Sequence, residues 1–262
     1  MADKKQEMKK KRSVRKLLLV GFWLCVAAGT MVLLVAAMNS QNNKTCKGYS
    51  IRIKGKADQW FLDKKDIATL LTVQGGVQGK PIKNFNLRKM ENQLKNNVWV
   101  KDAELFFDNG RVLQVRVEER TPMARLFTVS GNSFYIDTCG EKLPLSDKFS
   151  ARLPVFTGFP SEKDKLSSAD SVLMRDIIKI SEYLVHDDFW MAQVSQVDIQ
   201  PDRSFEMIPV VGNHIIQFGD GTDYEKKFKR LLLFYQQVLS KTGMDVYQKL
   251  NVRYARQVIG VK

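Results

Sequence analysis

Few residues in this chain have the types and spacing that catalysis needs. The chain has two histidines, His186 and His214, and neither belongs to a G-x-S-x-G or H-E-x-x-H string. His186 stands beside Asp187 and Asp188 at a predicted helix end, where the helix dipole stabilises positive charge. His214 stands at the start of a predicted strand. We therefore predict structural roles for both histidines and no catalytic residue.

Two further patterns resemble chemical motifs but fail in detail. In the run Gly75–Lys80 only three residues separate Gly75 from Gly79, and Pro81 stands where a phosphate loop has the hydroxyl that binds Mg²⁺. Glu118 and Glu119 are neighbours on a predicted strand, so their carboxylates point to opposite faces and cannot act on one substrate atom. We expect no metal, no cofactor and no small-molecule substrate.

An apolar run dominates the N-terminus. Residues 17–38 are 22 consecutive positions without a charge, which as a helix extend about 33 Å and exceed a hydrocarbon core of about 30 Å. The tail 1–16 carries eight basic and two acidic side chains. Because lysine and arginine favour the cytoplasmic side, we predict one transmembrane helix at 17–38 in the cytoplasmic membrane, with 1–16 inside and 39–262 outside. A cleaved signal peptide is the alternative, although its apolar region usually has about 7 to 15 residues.

The charge balance argues against nucleic-acid binding. The formal net charge is +14, of which the tail 1–16 holds +6, leaving +8 for residues 39–262. Basic and acidic residues alternate there, so no long basic face forms. Zinc-ligand spacing and a helix-turn-helix signature are also missing from the sequence. We therefore expect protein partners or a membrane surface rather than nucleic acid.

The residues after the predicted span divide into a linker, 39–47, and two domains. In residues 48–120 a short alternating strand ending at Gly55 is followed by helices after Asp63 and Asn86 and by two strands. These two strands are joined at Asn109-Gly110, which we expect to hold positive φ. The order is β-α-α-β-β, an α+β unit with one apolar sheet face for two helices to cover.

Residues 121–262 predict a mixed α/β domain with a mainly antiparallel sheet. A helix begins at Ser167, with Asp170 three residues on, and another begins at a capping box of Thr222 and Glu225. The cations 226–230 on this second helix predict a solvated face. Strand-like runs cover 194–199, 204–210 and 214–218, and a final strand covers about 249–261.

Several strings in this order resemble the FtsQ/DivIB family of bacterial cell-division proteins. Residues 53–55 and 97–103 resemble a POTRA domain, a small protein-interaction module of envelope proteins, and residues 117–124 directly after it resemble the VEERxPxA motif of the family. Residues 135–140, 153–158, 217–219 with 226–231, and 252–254 resemble the β-domain of that family. The chain departs from the family pattern at Asn251, where aspartate is frequent, and at Lys262, where some relatives continue.

The resemblance implies a non-enzymatic bitopic scaffold at the division septum. Its implied partners are division proteins of the FtsB/DivIC and FtsL type, and through them septal peptidoglycan synthesis. A C-terminal strand at a sheet edge could receive a partner strand by backbone pairing. The partner-binding residues expected there are Arg253, Tyr254, Ala255, Arg256, Gln257, Val258 and Ile259. One structural alternative stays open, an ordinary covered strand at this position. Two functional alternatives also stay open: a POTRA-containing envelope protein that assists secretion or outer-membrane assembly, and an envelope hydrolase or transferase, for which the sequence displays no catalytic set.

Overall fold

A computed structural model of the chain describes residues 22–36, 44–55, 61–72, 76–147, 150–163 and 165–262. By its internal contacts the chain divides into two compact units. The smaller unit contains the described residues up to Arg52, Lys64–Leu94 and Ala103–Arg116. The larger contains the described residues of Ile53–Asp63, Lys95–Asp102 and Val117–Lys262.

The N-terminal prediction is only partly covered by the described residues. Residues 22–36 are helical, and their side chains are exposed. Within the described ranges, no helix combines the length and the apolar character that crossing a membrane needs, so the predicted transmembrane helix is not found there. The rest of that predicted span, 17–21 and 37–38, lies outside the described residues, as do the tail 1–16 and residues 39–43 of the linker.

The first sheet confirms the predicted β-α-α-β-β order. Its strands, in the spatial order β1-β3-β2, are β1 (Gly48–Lys54), β2 (Val100–Phe107) and β3 (Val112–Glu119). Helices α1 (Lys64–Thr72) and α2 (Leu87–Lys95) lie between β1 and β2 in the chain. They bury Ile67, Leu71, Met90 and Leu94, because the 3.6-residue period places these side chains on one face of each helix.

The turn between β2 and β3 differs from the prediction. Positive φ occurs at Arg111 (67°), whereas Gly110 lies outside the positive-φ region. The Arg111 amide donates to the Asp108 carbonyl at 3.0 Å, and the Val112 amide donates to Asp108 Oδ1 at 2.9 Å. A turn followed by one left-handed residue closes this loop, so the strained position lies one residue beyond Asn109-Gly110.

A second sheet of nine strands forms the larger unit. Its spatial order among the described residues is β12-β11-β10-β9-β8-β7-β4-β5-β6. The strands are β4 (Pro122–Thr128), β5 (Ser133–Asp137), β6 (Lys142–Leu143), β7 (Val155–Phe159), β8 (Val194–Ile199), β9 (Phe205–Pro209), β10 (Ile215–Gly219), β11 (Lys249–Asn251) and β12 (Ile259–Val261).

This sheet is mixed, and the prediction of a mainly antiparallel sheet was wrong. The pairs β4–β7, β7–β8 and β10–β11 are parallel. Parallel neighbours need a crossover connection. Helices α3 (Ser168–Val185) and α4 (Asp188–Gln193) supply it between β7 and β8, and α5 (Tyr224–Phe234) supplies it between β10 and β11. The alternating sequence pattern is the same for both strand directions, so it could not show this.

The helix starts match the prediction at one site and not at the other. Ser167 caps α3, since its hydroxyl accepts from the Asp170 amide at 3.1 Å, as predicted. Helix α5 instead has Asp223 (φ 48°) at its N-cap and no side-chain cap. Thr222 donates its hydroxyl to Asp220 Oδ1 at 2.5 Å, so the predicted capping box does not form.

The core of the larger unit is built from aromatic and aliphatic side chains of the sheet and of α3 to α5. The Tyr183 and Phe228 rings stack with centroids 4.5 Å apart. Beyond α5 the chain continues as a π-helical segment, Tyr235–Leu239, and three further α-helical residues, Ser240–Thr242. The largest fully buried side chains here include Trp190, Tyr135, Phe156, Phe159, Phe205, Phe218 and Phe228.

Candidate functional site

The C-terminal end of the chain forms one edge of the nine-stranded sheet. Strand β12 pairs with β11 in antiparallel register, with Lys249 opposite Val261 and Asn251 opposite Ile259. On its other side no strand of the described residues pairs with it. An edge strand exposes a row of unpaired backbone groups, which is a template for another chain.

The backbone direction of β12 tells which groups face outward. The Val261 carbonyl accepts from the Gln248 amide at 2.7 Å, so it faces the sheet. Because backbone groups alternate in direction along an extended strand, the N–H and C=O of Gly260 face the open side. One donor and one acceptor are thus available on the central residue of this edge.

Glycine at position 260 allows a close approach of β12 to Tyr247. A Cβ atom at Gly260 would lie 2.5 Å from the Tyr247 ring, which real Cβ atoms essentially never do. The Tyr247 ring in turn packs edge-on against Phe234 of α5, with centroids 5.6 Å apart. The edge strand therefore lies directly on an aromatic pair. A glycine inside a strand pattern is the sequence signal for such an approach.

The predicted continuous final strand, about 249–261, was wrong, because only Lys249–Asn251 and Ile259–Val261 are strands. The assignment of residues 253–259 to partner binding stays a prediction. Residues 252–258 are a loop between β11 and β12, with Arg256 at φ 65°. Arg253, Tyr254, Ala255, Arg256 and Gln257 are exposed in this loop, Val258 packs half-buried against the core, and Ile259 begins β12. The structure therefore brings the residues together at the sheet edge without the two alternating faces that a strand would have. The turn at Arg256 needs a left-handed residue, which the sequence alone did not indicate.

Arg230, which was predicted to lie on a solvated helix face, holds this loop. Arg230 Nη2 of α5 donates to the carbonyls of Val252 at 3.0 Å and Tyr254 at 3.3 Å. Lys227 is also buried, with 4% of its surface exposed, and its Nζ donates to the Asp220 carbonyl at 2.9 Å. The prediction of a solvated face is thus correct for Lys226 and Lys229, which are exposed, and wrong for these two cations.

Arg253 lies between the loop and neighbouring strands. Its amide donates to Asn251 Oδ1 at 3.0 Å, and a Cβ at Gly219 would be 2.9 Å from Arg253 Cγ. Hydrogen bonds from the Ser204 hydroxyl and amide, and to a smaller extent the charge of Arg253, lower the pKa of Asp202. The guanidinium is therefore placed next to the β8–β9 turn by a glycine on β10.

The surface next to the edge is apolar with a positive charge in it. Val261, Lys249 and Ile215 are direct neighbours across β12, β11 and β10, and Val261 and Ile215 are 47% and 36% exposed. Tyr254 is 55% exposed. Exposed apolar groups beside unpaired backbone and cations suit an extended peptide with apolar and acidic side chains.

The two histidines have structural contacts. His186 is the C-cap of α3, and its Nδ1 lies 2.7 Å from the Glu182 carbonyl. His214 is buried, with Nε2 at 2.7 Å from the Tyr235 hydroxyl and Nδ1 at 3.2 Å from the Met244 carbonyl. Burial lowers the pKa of His214 and raises the pKa of Tyr235 to about 12. In the described ranges no group of three or more His, Cys, Asp and Glu side chains could hold a metal ion.

Comparison with known proteins gives consistent matches along the chain. The family model for the FtsQ/DivIB C-terminal related region matches residues 121–261, and a POTRA-like domain model matches residues 44–118. A protein of Geotalea daltonii named cell division protein FtsQ is 24% identical over 226 residues, which cover 82% of this chain and 80% of that protein. Proteins of the same name from Salinibacter ruber and Rhodothermus marinus are 27% and 22% identical, over 64% and 60% of their own lengths and 62% of this chain in each case.

Proposed function

This chain belongs to the FtsQ/DivIB family, and we propose that it is a non-enzymatic scaffold of the bacterial division machinery that receives a strand of another division protein at its C-terminal sheet edge. Relatives along most of the chain bear the name cell division protein. The partners we propose are division proteins of the FtsB/DivIC and FtsL type. Through them the scaffold would connect to septal peptidoglycan synthesis.

One observation carries this proposal: one side of β12 pairs with no strand of the described residues, and the N–H and C=O of Gly260 face that side. Backbone pairing supplies affinity in strand addition, and side chains next to the edge supply specificity. Tyr254, Arg253 and Arg256 are exposed beside that edge. The loop that carries them is held by Arg230, so it need not become ordered when the partner binds, which reduces the entropic cost.

We also propose that the protein acts at the cytoplasmic membrane of the septum, with residues 39–262 outside the cytoplasm. The support for this placement is the uncharged run 17–38 behind the basic tail 1–16. The division into a POTRA-like domain at 48–120 and a β-domain at 121–262 belongs to the same proposal.

Amide hydrogen exchange on a complex tests the strand-addition step. The full-length protein in detergent would be compared with and without an FtsB-type protein of the same organism. We expect the Gly260 amide to gain protection in the complex, since it faces the partner, while the Leu250 amide of β11, inside the sheet, changes little. A stable complex in which Gly260 exchanges as in the free protein would place the partner elsewhere.

The second candidate function is assistance of secretion or outer-membrane assembly, which the POTRA-like match at 44–118 favours. Depletion of the protein distinguishes the two functions. A division scaffold predicts long undivided cells with normal outer-membrane protein levels. Loss of outer-membrane proteins in cells that still divide would favour the second candidate.

A further inference from the structure

The positive charge beyond the predicted span is concentrated in residues 44–118. They carry 15 basic and 8 acidic side chains, a net charge of +7, whereas residues 119–262 carry 19 basic and 18 acidic side chains, a net charge of +1. Between Asp66 and Glu91 the sequence has four cations and no acidic residue. An excess of one sign attracts a surface of the opposite sign, so residues 44–118 favour a negatively charged partner.

Two cationic segments of the smaller unit lie side by side in the fold. Thr45 and Pro81 form an antiparallel bridge, and backbone hydrogen bonds of 2.9 Å on both sides of it join their neighbours. Segment 44–47 contains two lysines, and segment 80–83 contains two more. Lysines from distant parts of the sequence therefore meet in one short ribbon.

The first turn of α2 adds cations to this ribbon. Lys89 lines the same cleft as Lys80, and the volume of this cleft is about 240 Å³. Arg88 directly precedes Lys89 in the helix. We call the following six residues the basic cluster: Lys44, Lys47, Lys80, Lys83, Arg88 and Lys89. Its exposed members are Lys47, Lys83, Arg88 and Lys89.

The fold does not use most of the exposed charges of the basic cluster. The side chains of Lys83, Arg88 and Lys89 form no hydrogen bond or ion pair with the described residues. Lys47 is the exception, because it interacts with the charge of Asp108. A lysine ammonium group is a hydrated point charge on a flexible stem. These cations therefore suit a surface of many negative charges better than one tightly held anion.

The length of the chain keeps the basic cluster near the membrane in the proposed placement. The predicted span ends at Met38, and Lys44 follows six residues later. Six peptide units reach at most about 20 Å in any conformation, and about 6 Å of this distance lies within the headgroup layer. The cluster therefore begins no more than about 15 Å from the headgroups. At physiological ionic strength charges act over about 8 Å, so a small approach is sufficient for contact.

We propose that the basic cluster binds the anionic phospholipid headgroups of the membrane that anchors the chain. The exposed cations lie among the headgroup phosphates, and each one favours the contact about fivefold. The contact restricts the orientation of the smaller unit at the membrane. This inference rests on the membrane placement proposed above, and adds to it a lipid-binding surface that shares no residue with the β12 edge.

Lysine acetylation of the full-length protein in nanodiscs tests this contact. One preparation contains phosphatidylcholine alone, and the other contains equal parts of phosphatidylcholine and phosphatidylglycerol. Peptide mass spectrometry gives the acetylation rate of each lysine. We expect Lys47, Lys83 and Lys89 to react about threefold or more slowly with phosphatidylglycerol present, while Lys226 and Lys229 of α5 react equally in both. The difference should disappear in 1 M salt, where charges act over only about 3 Å.

Two double variants with the same change of charge give a matched pair. Lys83→Glu with Arg88→Glu should remove the protection of Lys47 and Lys89, because two attractive charges become repulsive. Lys226→Glu with Lys229→Glu, at exposed positions of α5, should leave that protection unchanged. Unaltered rates of Lys47 and Lys89 in phosphatidylcholine alone show that the cluster variant keeps its fold.

The two proposals fail in different ways. A protein that stays in the nanodisc, with equal lysine rates in both lipid mixtures, overturns lipid binding and leaves the membrane placement intact. A protein that does not stay in the nanodisc overturns both.

Three further results would assign the basic cluster to something other than lipid. Equal loss of protection in both double variants would mean a general effect of net charge. Protection by glycerol 3-phosphate in phosphatidylcholine nanodiscs, equal to that by phosphatidylglycerol, would mean that a free phosphate is bound. Protection that appears only when an FtsB-type protein is added would mean that an acidic protein covers the cluster instead.

Discussion

Tyr254 is the residue that we expect to contribute most at the sheet edge. The residue is 55% exposed, and its contact with Arg230 is made by its backbone carbonyl, so we expect the fold to tolerate loss of the ring. Tyrosine is enriched among residues that dominate binding energy. Tyr254→Ala should weaken the complex with an FtsB-type partner by about 2 kcal/mol or more, measured by titration calorimetry with the full-length protein.

The control for this change is Val129→Ala. Val129 is 75% exposed in the β4–β5 turn, away from the proposed edge, and its loss should leave the affinity unchanged. If Tyr254→Ala binds as tightly as this control, the loop 252–258 is not part of the interface.

His214 should make stability depend on pH. Burial lowers its pKa, the Met244 carbonyl and the charge of Asp245 oppose this shift, and the Tyr235 hydroxyl is its other polar neighbour. The unfolded chain, with a histidine pKa of about 6.5, therefore binds a proton more readily than the folded one. Stability from neutral His214 is fully present above about pH 6.5 and is lost as pH falls toward the lower folded pKa.

Urea unfolding between pH 5 and 7.5 measures this effect. The decrease in unfolding free energy on acidification should be smaller in His214→Phe than in the unmodified protein. His186→Gln, a change at the exposed histidine, should keep the full decrease. If the unfolding free energies of all three proteins fall equally on acidification, His214 is not the group that makes stability depend on pH.

At the scale of elements, the start of α5 depends on a buried lysine rather than on a capping box. Lys227 Nζ donates to the carbonyl and to Oδ1 of Asp220, both at 2.9 Å, and lies 5.2 Å from the centre of the Phe218 ring. Lys227→Met should lower the unfolding free energy by about 1 to 3 kcal/mol, because the Asp220 carbonyl loses its donor and Asp220 Oδ1 keeps only Thr222.

Lys226→Met is the matched change on the same helix. Lys226 pairs with Asp223 at 2.8 Å while both side chains are largely exposed, and exposed pairs contribute about 0 to 1 kcal/mol. Chemical denaturation of the two variants measures the difference. Equal loss of stability in both would mean that Lys227 is solvated in the native state.

The β11–β12 hairpin requires a glycine at position 260. Gly260→Ala should displace β12, because the new methyl group would lie 2.5 Å from the Tyr247 ring. We expect a destabilisation of about 1 to 3 kcal/mol and weaker partner binding. Gly48→Ala in β1, where a Cβ meets no atom of the described residues within 4 Å, is the control in the same type of element.

Combining Gly260→Ala with Tyr247→Ala tests whether the Tyr247 ring causes the destabilisation by Gly260→Ala. Removal of the ring in Tyr247→Ala should reduce the cost of Gly260→Ala, which appears as a favourable interaction energy in a double-mutant cycle. Additive effects of the two changes would show that the destabilisation by Gly260→Ala does not come from the Tyr247 ring.

At the scale of the whole molecule, the proposed membrane placement can be tested by topology. The lysine and arginine excess of residues 1–16 predicts that a reporter active only outside the cytoplasm is active when fused after Lys262. The same reporter fused before Met1 should be inactive. Activity only at the N-terminal fusion would reverse the placement and exclude partners outside the cytoplasm for the β12 edge.

The sequence by itself determined the local elements and the family. The period of apolar residues located α1, α2, the strands of the first sheet and β8, β9 and β10 of the second, and Ser167 with Asp170 located the start of α3, because these signals depend on residues within one or two turns. The motifs along the chain were sufficient to identify the FtsQ/DivIB resemblance. The same resemblance predicted residues 253–259 as a candidate binding segment.

Tertiary structure decided how those elements pair and which polar groups are buried. The predicted final strand became a hairpin because Arg230 holds the loop carbonyls and Tyr247 packs on Gly260, both contacts between residues distant in sequence. The mixed direction of the sheet likewise depends on crossovers that the alternation of side chains does not encode. Burial of Lys227 depends on the position of Asp220. The local sequence pattern indicates which face of an element is apolar. Contacts between residues distant in sequence decide whether a strand continues, turns or becomes the edge of a sheet.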